Sequence, residues 1–96
     1  MRHPIQERAL ELIHGERERS YGPPEVSFAV IGRLWAALLG VEDIPPERVG
    51  LMMTALKLAR ENHRHGTDNL TDAVGFLVNV ARVHEARQRE NERSHR

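Results

Sequence analysis

The stretch TALKLARENHRHGTDNLTDAVGF, residues 54–76, holds the side chains best suited to chemistry in this chain. Lys57 and Arg60 stand three residues apart; Asp68 and Asp72 stand four apart, with Asn69 three before Asp72. Positions three or four apart share one side of a helix, so each group forms a cluster. Two carboxylates with an amide oxygen beside them can share a hard cation such as Mg²⁺, which leaves its other positions to water and phosphate. The two cations match phosphate oxygens in charge and donor capacity. Acids with a metal on one helix and cations on the next would suit phosphoryl or pyrophosphate chemistry.

The same residues admit a plainer arrangement. Asp68 can cap a helix, and Asp72 can complement its positive end. Lys57 interrupts the apolar row Ala55, Leu56, Leu58, Ala59, so its stem is partly buried and its ammonium needs a partner. A short turn would make the two helices antiparallel neighbours and bring Asp72 to it. A cross-helix ion pair and a phosphate site are thus two readings of one cluster.

Elsewhere the candidates are fewer. Tyr21, ahead of Gly22, Pro23 and Pro24, heads a rigid turn and can lie over a pocket against a nucleobase, or close the turn through its hydroxyl. Trp35 could also stack on a base, but it falls on an apolar repeat and reads as packing. His63 and His65 flank Arg64 as half a transition-metal site with no third ligand at a defined spacing. The chain has no cysteine, which removes disulfides, zinc–thiolate sites and thiol nucleophiles. It has no glycine-rich phosphate loop.

Four helices must position these groups. The first starts at Pro4 and runs to about Arg19, with Ile5, Ala9, Leu12 and Ile13 on a narrow apolar face suited to the rim or to a contact between subunits. Pro24 opens the second, where Phe28, Ile31, Trp35 and Leu38 repeat, and Gly40 ends it. The third starts near Pro46 and Glu47, shows Val49, Met52, Met53, Leu56 and Ala59 to the core, and stops around Asn62 or His63. After Gly66, Thr67 or Asp68 caps a fourth helix from about Asn69 towards Glu90, with Leu70, Ala73, Val74, Leu77, Val80, Ala81 and His84 as its buried stripe. The expectation is one all-α domain over residues 1–88, a four-helix bundle with short loops, and a polar frayed tail over 89–96.

At 96 residues, with 29 % charged and 40 % apolar side chains, the composition is that of a small globular domain. Its core is modest, so association with itself as a homodimer or tetramer is expected. Fourteen basic residues balance 14 acidic ones, which disfavours nucleic acid as a partner. The charged N-terminus does not read as a secretory signal and no stretch has the length of a membrane span, so a cytoplasmic protein is expected.

The segments YGPPE, SF and VIGRLW, then VGLMMTALKLAR, then DNLTDAVGF, resemble a family of small, mostly phage-encoded domains of unknown function. That family's pattern is a YG turn, an aromatic and a Trp on the next helix, a K-x-x-R helix, and a D-N-x-x-D-x-x-G-Y helix. The resemblance covers about residues 15–82, with Gly75 in place and Phe76 at the Tyr position. Such domains are similar to MazG, among the all-α nucleoside triphosphate pyrophosphohydrolases, which hold Mg²⁺ with E-x-x-E on one helix and E-x-x-D on the next. The resemblance implies a MazG-like nucleotide-binding protein that hydrolyses a nucleoside triphosphate to monophosphate and pyrophosphate. Asp68 and Asp72 would be its catalytic, metal-holding acids, with Glu25 as a further metal ligand. Lys57, Arg60, Asn69 and Tyr21 would bind the substrate. Asn69-x-x-Asp72 takes the place of E-x-x-D, whereas the place of E-x-x-E reads Val49-Gly-Leu-Met52-Met53 and is apolar. A non-catalytic helical phage accessory protein, which oligomerises and binds a host or phage protein, is the alternative expectation.

Overall fold

Proline and glycine divide the chain, and the computed structural model, which describes residues 2–94 apart from the side chains of residues 16 and 17, follows that punctuation. It comprises helices α1 (Pro4–His14), α2 (Glu16–Tyr21), α3 (Pro24–Leu39), α4 (Pro46–His63) and α5 (Thr67–Ser94), with no strand among the described residues. Prolines 4, 24 and 46 each open a helix, where the missing N–H costs nothing. Gly40, at φ 72°, closes α3 in the left-handed conformation. His3 caps α1 reciprocally: its Nδ1 accepts the Ile5 N–H at 3.1 Å, and Gln6 Oε1 accepts the His3 N–H at 2.9 Å. No helix among the described residues is long and apolar enough to cross a membrane.

The expected first helix is broken at Gly15 into α1 and α2. A Cβ at Gly15 would stand 2.7 Å from the Glu11 carbonyl oxygen, so the chain bends there only because the residue has no side chain. Where a place at the rim is expected for the first helix, α1 lies along α5, with Ala9 and Ile13 buried. Gly75 makes that contact close, since a Cβ on it would meet Ile13 Cγ2 at 3.3 Å. The last helix begins at Thr67, before the expected start, and runs to Ser94, while residues 95–96 of the expected tail lie outside the described residues.

The core gathers Phe28, Ala36, Ile44, Val49 and Val83, with Ile31, Trp35, Met53 and Phe76 packed against it. The Phe28 and Phe76 rings sit 6.5 Å apart and tilted, a favourable aromatic geometry. Three expected faces are corrected. On α3, Leu38 is 85 % exposed; on α4, Met52, Leu56 and Ala59 face outward; on α5, Leu77, Ala81 and His84 do so. The reason is that α3 from Val26 to Leu39 and α4 from Val49 to Leu56 carry apolar residues on more than one side, so periodicity does not select a face. Close approach selects it: a Cβ on Gly50 would stand 2.4 Å from Val80 Cγ2 and 3.2 Å from Phe28 Cε2, which turns Gly50, Met53 and Thr54 inward. The Thr54 hydroxyl, buried by that rotation, donates to the Gly50 carbonyl at 2.8 Å.

Both ends of α4 are held by a carboxylate. Glu47 takes a two-pronged bond from Arg87, at 2.6 and 3.2 Å, tying the start of α4 to the distal part of α5. Glu61 accepts the Gly66 N–H at 3.0 Å and the His65 Nδ1 proton at 2.5 Å, closing the turn into α5. The Gly66 bond, then His65, hold the Glu61 carboxyl below the ordinary carboxylate range, and the Arg87 bond does the same for Glu47. A lowered carboxyl pKa contributes stability that is complete above the unfolded value and lost as pH falls through the folded one. We therefore expect acidification below the ordinary carboxylate range to open the turn at residues 64–66. Hydrogen exchange of the Gly66 amide should rise there, and Glu61→Gln should raise it at neutral pH as well. Exchange that stays flat on acidification would refute the clamp.

Candidate functional site

Antiparallel packing of α4 on α5 brings one predicted cation to one predicted acid. Lys57 Nζ lies 3.0 Å from Asp72 Oδ2, with the two side chains only 16 % and 13 % exposed. Both line a cleft of about 710 Å³ formed by residues of α2 to α5 and Ile13 of α1. Its walls are largely apolar, from Phe28, Ile31, Met53 and Phe76, with Val26 and Val30 toward solvent. Tyr21, 72 % exposed, stands at the mouth beside Gly22.

The other predicted residues are elsewhere. Arg60 and Asp68 are exposed near the α4–α5 turn and do not line the cleft. Asn69 is half-buried in that turn, hydrogen-bonded to Glu61. Glu25, in the first turn of α3, also lies outside the lining. His65 serves the Glu61 clamp. Among the described residues no three His, Cys, Asp or Glu side chains gather as a metal site.

Three cleft residues escape a reading of the sequence. Arg82 is ion-paired to Glu18 of α2, and its Nη1 donates to Asn79 Oδ1 at 3.1 Å. Asp72, Asn79 and Arg82 form a polar ridge along α5, set into the apolar run Ala73 to Val83. The signal was present as polar residues seven and ten positions after Asp72. Glu18 had none, because its place depends on the break at Gly15. The cleft thus carries two cations and two acids in neutral pairs, with an amide between them and aromatic surface opposite. That is the pattern of a small-molecule site: apolar walls with a few convergent polar groups.

The chain is 36 % identical over 86 residues to the Gene 55 protein of Mycobacterium phage D29, covering 88 % of this chain and 56 % of that protein. It is 37 % identical over 70 residues to the Gene 55 protein of Mycobacterium phage L5, covering 71 % of this chain and 44 % of that one. The chain therefore spans about half the length of the curated relatives it matches. No solved structure matches it. The family described as a domain of unknown function, DUF6378, matches residues 4–84, which takes in α1 to α4 and the cleft-lining part of α5, and the chain belongs to that family.

Proposed function

We propose that the cleft binds a nucleotide in a MazG-like manner. The observation that carries this reading is the Lys57–Asp72 pair, sunk in the wall of a cleft that is otherwise apolar and has Tyr21 at its mouth. Incoming phosphates would take over the Lys57 ammonium, while the base lies against Tyr21 and the Phe28–Phe76 wall. Asn79 and Arg82 supply further donors on the α5 side. Hydrolysis to a monophosphate and pyrophosphate is the finer part of the proposal, with Asp72 as the acid beside the phosphates. Mg²⁺ would enter as an ion carried by the substrate, with Asp72 offering one carboxylate, and when bound it would neutralise phosphate charge. Asp68, Arg60, Asn69 and Glu25 take no part in this reading.

Thermal unfolding with a panel of nucleoside triphosphates, with and without Mg²⁺, tests it. A ligand at a hundred times its Kd stabilises by about 2.7 kcal/mol, which for a domain of this size shifts Tm by roughly 10–20 °C. The doubly substituted Lys57→Met/Asp72→Leu should keep its fold and lose the shift. A flat response to every nucleotide would end the nucleotide reading. A shift without pyrophosphate release would leave a binding protein and remove the enzyme.

A second reading is a helical accessory protein that binds a host or phage protein and catalyses nothing. It is favoured by the mutual satisfaction of Lys57 and Asp72, which gives the pair a purely structural role. This reading predicts a Tm indifferent to Mg²⁺ and nucleotides.

A further inference from the structure

α3 and α4 each have two apolar sides, and the fold covers one. Opposite the buried Phe28, Gly32 and Ala36, α3 presents Val26, Val30, Leu34 and Leu38 at four-residue steps, all exposed. Opposite Val49, Gly50 and Thr54, α4 presents Leu51, Met52 and Leu58, with the small Ala55 and Ala59 between them. The two faces are continuous, because Trp35, Leu38 and Leu39 of α3 and Met52 of α4 line a single shallow groove. A contiguous apolar face left exposed on a small domain marks a surface that a partner covers.

The exposed area is large for the mass of the chain. The chain exposes 6939 Å². A folded monomer of 11.0 kDa exposes about 5600 Å² by the usual scaling with mass. The excess, about 1300 Å², exceeds the share of about 800 Å² that one partner gives to a standard interface. The exposed distal part of α5 and the exposed apolar side chains of α3 and α4 both contribute to it. Arg33 is the only charge between Val26 and Leu39, and α4 carries none between Val49 and Leu56, so the face is apolar with few charges to desolvate. A ridge at Leu34 beside the groove at Trp35 and Met52 offers both halves of a two-fold contact.

We infer that a second copy of this chain packs on the α3–α4 face, and that it supplies the outer wall of the cleft. Val26 and Val30 belong to both surfaces: they begin the exposed stripe and they line the cleft. Docking along the stripe therefore covers the side on which the cleft is open. The dimer stands on the surface alone; its linkage to a ligand rests on the cleft reading above.

The mass of the full chain in solution, by sedimentation equilibrium without ligand, tests the dimer independently of any nucleotide. The expected mass is twice 11.0 kDa, falling to the monomer in Leu38→Glu with helical circular dichroism unchanged, and staying dimeric in Leu77→Glu on α5. A wild-type monomer, or a Leu38→Glu dimer, overturns the inference. Because the chain has no cysteine, single variants report their own positions. Leu38→Cys should react with iodoacetamide at least tenfold more slowly than Leu77→Cys, and equal rates would overturn the placement. If the mass is dimeric and nucleotide shifts are absent, the cleft reading fails while the interface stands.

Discussion

Replacing Asp72 by alanine is expected to lower the unfolding free energy by about 3 kcal/mol, the lower end of the range for breaking a buried ion pair. The variant leaves the Lys57 ammonium in the wall of the α4–α5 contact with its carboxylate removed. The lower end applies because the pair borders the cleft and water screens it in part. Removing both charges is expected to do far less: Lys57→Met/Asp72→Leu fills similar volume, and such exchanges are commonly neutral or stabilising. Urea denaturation of the three proteins measures both effects. If the single and double variants lose equal stability, the pair is not a unit and the cost lies in packing. The comparison also makes the nucleotide experiment interpretable, since only a variant that retains its fold can show that the charges serve a ligand.

The second large effect is expected at Gly32, where alanine should destabilise by about 3 kcal/mol, the upper part of the overpacking range. A Cβ there would stand 2.1 Å from the Ile44 carbonyl oxygen and 3.3 Å from Val49 Cγ2. The first obstacle is backbone, so relief requires the 41–45 connection to lift from α3. Lifting it withdraws Ile44 from the core. Gly40 provides the control. Its φ is 72° with open space around it, so alanine there carries only the strain of the left-handed conformation, about 1–2 kcal/mol. A Gly32→Ala protein as stable as wild type would show that the linker gives way freely.

The order of the helices and most of their ends were legible because Pro4, Pro24, Pro46, Gly40 and Gly66 mark them by local chemistry, whereas the break that divides the first expected helix at Gly15 was not. The Lys57–Asp72 contact was legible too, since an ammonium within an apolar row must find an anion across the next turn. Which side of α3 and α4 faces inward was not. Both sides of each helix are apolar, and the choice depends on Gly32 and Gly50, whose effect exists only once another element arrives against them. Arg60, Asp68 and Asn69 shared helical spacing with the cleft pair, yet they cluster about the turn. A spacing of three or four residues fixes a side only loosely, and each step rotates the position by tens of degrees. Glu18 was invisible for a different reason: it reaches Arg82 across 64 positions of sequence, through a bend at one glycine.

That bend has a mechanical consequence. The six residues of α2 hang between Gly15 and Gly22, and they pack on their chain neighbours α1 and α3. Among the described side chains, their tie to α5 is the Glu18–Arg82 pair, 30 % and 20 % exposed. Partly solvated pairs of this kind hold with energies of about 1 kcal/mol, not far above thermal energy. The entrance of the cleft is therefore a short lever on a weak electrostatic latch, and its aperture should widen as added salt loosens the latch while the helical core stays put.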